Sequence, residues 1–356
     1  MALKYLLLPA TVIFSMVANA CTCFLLSRDK ELVFGRNYDW ITGAGMVFSN
    51  PRGLLKISME TGDGATLTWT SKYGSVTFNQ YGREFPTGGM NEKGLVVELM
   101  WLDGTLYPNP DGRPAVGTLQ WVQYQLDNAA TIDDVTASDS RLRIASTGSV
   151  PLHFLVADAT GSAATIEFLA GRMVVHRGKE LPVPVLANES YEESLKNLPA
   201  LPGGSNSSAD RFARACRLVR QYQSQSNSQP IVEYAFAVLE DVAQGDWTKW
   251  SIVYDIADRE VFFTSARSRQ IKLIRLNALD FSCRAGPRMF DMNTPVIQPS
   301  RAKFPAVDIS AELRAFSDHP YRKLLETAFS ESRPRVMISE DRQQAIFDYG
   351  KFIRCQ

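Results

Sequence analysis

Cys21, in Ala18-Asn19-Ala20-Cys21-Thr22-Cys23-Phe24, is the residue whose setting offers covalent chemistry. Cleavage after Ala20 would make it the first residue of a mature chain. Its thiol would then be a nucleophile, and its α-amine, with an ordinary pKa of roughly 7.7–8.0, a base able to take the thiol proton at neutral pH. Nucleophile and base in one residue suit attack on an amide carbonyl. A second group of residues, Gly35-Arg36-Asn37-Tyr38-Asp39-Trp40, supplies a cation and a carboxylate. A thiol is ordinarily half ionised near pH ~8.5, so Arg36 beside it would favour the thiolate. Arg36 and Asp39 lie an odd number of residues apart, and a regular strand would aim them at opposite faces. Bringing both to Cys21 calls for a twist or bulge near Asp39.

The stretch before Cys21 carries one charge near its start, Lys4, then an apolar run from Tyr5 to Phe14, then Ala18-Asn19-Ala20. This is the build of a secretory signal peptide over residues 1–20. The apolar run is too short for a membrane span of about 20 residues. Secretion or a periplasmic location is therefore expected, with residues 21–356 as a single domain. Lipidation of Cys21 is the competing reading. It would acylate the amine and remove the base, turning Cys21 into an attachment point of a lipid-anchored or disulfide-stapled periplasmic binding protein.

Composition excludes several other classes. In 356 residues, 38 Lys and Arg balance 38 Asp and Glu, and no basic run with interleaved aromatics marks a nucleic-acid surface. No later segment is long and apolar enough to span a membrane. The three histidines stand in no zinc-binding or triad motif: His153 and His176 read as structural residues of strands, His319 as a loop or cap residue. No metal or cofactor is expected. Cys21-x-Cys23 has no second cysteine pair nearby, and alternation along a strand is expected to separate the two side chains. Reserving Cys21 leaves Cys23, Cys216, Cys283 and Cys355 free to pair in an oxidising compartment, with no pairing specified by the spacing.

The elements that must position these residues begin with a strand over residues 21–26, a turn at Ser27–Lys30 and a returning strand over Glu31–Asp39, a hairpin that carries Arg36 and Asp39 back beside Cys21. Further strands are expected at 47–57, 66–70, 75–78, 95–101, 152–157, 164–169, 173–176, 250–255, 260–265 and 271–276. Helical spacing marks 118–129, 210–224, 231–243, 311–316 and 321–329, and 197–208 reads as a loop. Antiparallel strand sets alternating with helices imply an α+β architecture of layered sheets and helices.

The motifs also resemble a known family. Cys21-Thr22 with Gly35-Arg36-Asn37-Tyr38-Asp39-Trp40 is similar to the choloylglycine hydrolases, the N-terminal-nucleophile enzymes that include penicillin V acylases and conjugated bile salt hydrolases. Met90-Asn91-Glu92-Lys93-Gly94-Leu95, Val185-Leu186-Ala187-Asn188 and Asp210-Arg211-Phe212 follow in the family's order. The resemblance implies a four-layer αββα sandwich and hydrolysis of a linear amide in a small molecule. It implies Cys21 as nucleophile, Arg36 favouring its thiolate and Asp39 orienting the amine. Asn188 would bind the developing oxyanion and Arg211 would hold the site together. Trp101 stands where bile salt hydrolases carry a second oxyanion asparagine, so the backbone N–H of Thr22 is expected to complete the hole. Trp101 and Trp40 together would make an aromatic wall for an acyl tail or a phenoxy ring. Penicillin V and N-acyl homoserine lactones head the substrates so implied, with conjugated bile salts and N-acylethanolamines as the alternatives. The short interval between Asn188 and Arg211 leaves no room for the family's long assembly excursion, so a homo-oligomer stays open but not by that route.

Overall fold

The computed structural model describes residues 21–198, 204–224, 229–296 and 305–356. The leader expected over residues 1–20, and residues 199–203 of the expected loop, lie outside them.

Strand β1 (Thr22–Arg28) and strand β2 (Glu31–Asp39) form the expected hairpin, in a register that sets Thr22 opposite Asn37 and Cys23 opposite Arg36. They lie inside a seven-stranded sheet ordered 185–186, β1, β2, 248–255, 260–265, 268–275, 306–308. Hairpin pairing fixes β1 against β2, and Gly35 allows it to close: a Cβ there would sit 2.2 Å from the Phe24 ring across the ladder. A nine-stranded sheet, ordered 172–177, 163–169, 152–157, 96–101, 86–91, 75–79, 46–50, 288–291, 314–315, stacks on the first. Apolar residues from the facing surfaces, among them Phe34, Phe78, Met100 and Tyr254, fill the layer between the sheets.

Helices Ser208–Ser224 and Ile231–Asp241 cover the outer face of the first sheet, and helix Thr118–Asn128 covers that of the second. Val97 and Leu99 point outward to Trp121 and Val122 of the latter helix, whereas Val96 and Met100 point into the inter-sheet layer. Strand alternation thus lets one run of apolar residues serve two layers. The result is the αββα sandwich.

Several local expectations are corrected. Residues 47–57 form two strands, Met46–Asn50 and Leu54–Ile57, in different sheets, because Pro51-Arg52-Gly53 breaks the run with Gly53 at φ +75°. Residues 311–316 are not helical. Arg314–Ala315 pairs with the 288–291 strand, and Leu313 O accepts from Arg288 Nε at 2.8 Å, so the apolar spacing there reflects edge packing. Strand Pro86–Asn91 was hidden by its proline and two glycines. Short helices at Ile132–Ala137, Tyr191–Asn197 and Glu340–Asp348 carried too few apolar repeats to be read. Cys283 and Cys355 form a disulfide, while Cys23 and Cys216 are buried free thiols.

Candidate active site

Cys21 lies at the start of β1, 4% exposed, where both faces of the strand end meet other layers. Its thiol turns toward the second sheet, with Arg36 Nη2 3.7 Å from Sγ and the Asp39 backbone N–H also donating to the sulfur. Burial pushes the Cys21 thiol up, and Arg36 offsets part of that rise. Arg36 is wholly buried. Nη2 also reaches Leu99 O at 3.1 Å, while Nη1 donates to Thr87 O at 3.1 Å and pairs with Glu98. Burial by itself would weaken the guanidinium's hold on its proton. The attractions of Glu98, the two neighbouring thiols and Tyr254 together outweigh that, and the pKa is raised.

Asp39 faces the other way. Its carboxylate accepts from Gln244 Nε2 at 2.6 Å and Thr248 Oγ1 at 2.5 Å, both beyond the end of the 231–241 helix. The odd spacing therefore does separate Arg36 from Asp39. A bulge is present, but on the neighbouring strand: the register slips between Thr248 and Trp250, opposite Asp39 and Tyr38. Both residues nevertheless bear on Cys21, because it ends its strand between the two faces. Burial raises the Asp39 pKa, opposed first by the Arg211 charge and then by the two hydrogen bonds.

Arg211, in the first turns of helix Ser208–Ser224, approaches from the helix layer. Nη1 donates to Cys21 O at 2.9 Å and Thr22 Oγ1 at 2.6 Å, and Nη2 to Asn188 Oδ1 at 2.9 Å. Asn188 Nδ2 in turn donates to Trp101 O at 2.9 Å, and the amide nitrogen carries a second N–H. Ser208 Oγ accepts from Asn188 N at 2.8 Å, and His153 Nε2 lies 2.8 Å from Ala187 O, so the segment is pinned on both sides of its turn. The structure thus brings Cys21, Arg36, Asp39, Asn188 and Arg211 together. Trp40 and Trp101 stand beside them with ring centroids 6.2 Å apart, and Trp40 Nε1 donates to Tyr81 OH at 2.6 Å.

Three readings change or extend. Leu25 N–H runs to Pro184 O, so alternation turns the Thr22 N–H toward β2, opposite Asn37, and withdraws it from the expected oxyanion role. Cys21 and Cys23 share a face rather than opposing one another, since residues two apart on a strand point the same way; both act on Arg36. Gln244, Thr248 and Glu98 belong to the cluster although no motif marked them, and Thr22, marked for its backbone N–H, joins it through its hydroxyl. Glu98 alone left a trace, as a carboxylate inside an apolar run.

The fold and its cysteine-centred cluster define an N-terminal-nucleophile hydrolase. The family model for linear amide C–N hydrolases of the choloylglycine hydrolase family matches residues 21–200, and the chain belongs to that family. It hydrolyses carbon–nitrogen bonds in linear amides. The chain is 28% identical to a penicillin V acylase of Pectobacterium atrosepticum over 333 residues, covering 78% of this chain and 87% of that protein. The structure of penicillin V acylase from Agrobacterium tumefaciens superposes with a TM-score of 0.70 at 25% identity, over 83% of this chain and 98% of that one. A variant of conjugated bile acid hydrolase from Clostridium perfringens shares the fold, with a TM-score of 0.65 at 18% identity over 78% of this chain and 99% of the other.

Proposed function

We propose that the protein is a secreted or periplasmic amidase whose nucleophile is Cys21, made amino-terminal by cleavage after Ala20. The observation that carries this reading is the pair of arginines on Cys21: Arg36 reaches its sulfur and Arg211 its carbonyl oxygen. The thiol proton passes to the freed α-amine as Sγ bonds to the substrate carbonyl carbon. Arg36 favours the anionic sulfur, and Asp39 orients the resulting ammonium. The carbonyl oxygen becomes an oxyanion held by the remaining N–H of Asn188. The ammonium then returns its proton to the substrate nitrogen as the C–N bond breaks, leaving an acyl thioester. Water, deprotonated by the same amine, releases the acid and restores the thiol.

Arg211 ties Asn188 to the strand that bears the nucleophile, so the donor and the attacked carbon are held in one frame. Asn188→Ala is expected to lower kcat by ~10²–10³-fold with little change in KM, as for loss of one oxyanion donor. Steady-state kinetics check it.

The half-buried Trp40–Trp101 pair favours a flat or extended apolar acyl group over a steroid with polar edges. The similarity to penicillin V acylases points the same way. The substrates proposed are thus penicillin V and N-acyl homoserine lactones, ahead of conjugated bile salts. Comparing kcat/KM over these three classes, on protein whose first residue is verified as Cys21, tests the choice. A preference for bile salt conjugates would overturn it.

A further inference from the structure

The mechanism uses one arm of the Arg36 guanidinium; the other is held by Glu98. This carboxylate is fully buried on strand Val96–Trp101, in the layer between the sheets. It accepts from Arg36 Nη1 and from Tyr254 OH, which comes from strand Thr248–Asp255 of the opposite sheet. Its space exists because residue 88 is glycine: a Cβ there would lie 1.9 Å from Glu98 Oε2. Two sheets and a missing side chain therefore shape one pocket for one carboxylate, against the cost of burying it.

We propose that Glu98 is a positioning residue for amide hydrolysis, clamping one arm of Arg36 so that the other is aimed at Cys21 Sγ and tempering the field the guanidinium exerts on the thiol. The proposal rests on the reading of Cys21 as nucleophile. The titratable groups acting with Glu98 are Arg36 and Tyr38 on β2, Cys23 on β1, and Tyr254. Its neighbours in its own sheet, Gly88 and Leu155, carry no charge. Burial raises the Glu98 carboxyl to about 7, with Arg36 and the Tyr254 hydroxyl opposing the rise. Above that pH its negative charge cancels part of Arg36 and opposes a thiolate on Cys21. Without the charge, the thiol ionises more easily.

The test is the pH dependence of iodoacetamide alkylation at Cys21, located by peptide mass mapping, with kcat and KM measured alongside. Glu98→Gln is expected to move the alkylation midpoint down by about one unit and to lower kcat more than it raises KM. Glu98→Asp keeps the charge on a shorter arm, so it holds the wild-type midpoint while kcat falls. Should Glu98→Gln fail to fold, Tyr254→Phe serves: it removes only the donor to the carboxylate and shifts the midpoint the same way by less. Wild-type midpoints and kcat in both variants would overturn the proposal. Alkylation at Cys23 or Cys216 in place of Cys21 would instead remove the nucleophile on which it rests.

Discussion

Cys21→Ala is expected to abolish amide hydrolysis, lowering kcat/KM by at least ~10³-fold, since no other group in the cluster can form the acyl intermediate. Arg36, Arg211 and Asn188 carry no nucleophile, Asp39 is fastened by Gln244 and Thr248, and Cys23 is wholly buried behind Cys21. The substitution removes one buried sulfur and leaves the ladder and the Arg211 bond to the residue 21 carbonyl in place. The folded state should therefore survive with an unchanged circular dichroism spectrum, and the loss can be assigned to chemistry. A companion protein that keeps Cys21 but carries an acetylated α-amine is expected to lose activity as well. Its thiol persists, but the proton acceptor is gone. Full activity in either protein would refute the single-residue nucleophile and base.

Arg211→Ala is expected to damage stability and activity together. The side chain is fully buried and joins three elements through Cys21 O, Thr22 Oγ1 and Asn188 Oδ1. It is also the largest force holding down the raised Asp39 pKa. Its removal leaves Asp39 with less compensation in a buried place and leaves buried acceptors on Cys21, Thr22 and Asn188 without their donor, at about 1–3 kcal/mol for each group left unsatisfied. The pH dependence has a definite sign. The Asp39 pKa in the folded variant lies above its unfolded value, so the folded state binds the extra proton and stability falls as pH rises through that interval. The variant's deficit against wild type should thus be small in acid and reach its full size toward neutrality. Urea unfolding at several pH values checks this, and a deficit that shrinks with rising pH would contradict it. Arg211→Lys should recover part of the stability but little rate, because an ammonium cannot span the carbonyl, hydroxyl and amide that the guanidinium fork joins.

The hairpin at the heart of the site was legible because two strand-like runs flank a polar turn at residues 27–30. The arrangement around it was less so. The interval between Arg36 and Asp39 argued correctly for opposite faces, yet sequence could not show that Cys21 sits at a strand end where both faces count. Pro86–Asn91 was lost because Gly88 and Gly89 look like breakers. They are small for another reason: a Cβ on Gly88 would strike Glu98, and one on Gly89 would lie 2.4 Å from Val76 O. Glu98 stands in the sequence as one carboxylate among apolar neighbours, and its meaning emerges only with Arg36 and Tyr254 arriving from the other sheet. The helix spacing at 311–316 misled because single apolar residues at a sheet edge can mimic a turn of helix. The Cys283–Cys355 pairing depends on a chain path that spacing does not encode.

Mass spectrometry of the mature protein, stopped during turnover of a slow amide substrate, reaches the central claim most directly. The expected result is a chain beginning at Cys21 with an unmodified α-amine, and a mass increase equal to the substrate's acyl group on that same residue. A fully active protein in which Cys21 is still joined to Ala20, or in which the acyl group rides on any other residue, would contradict it.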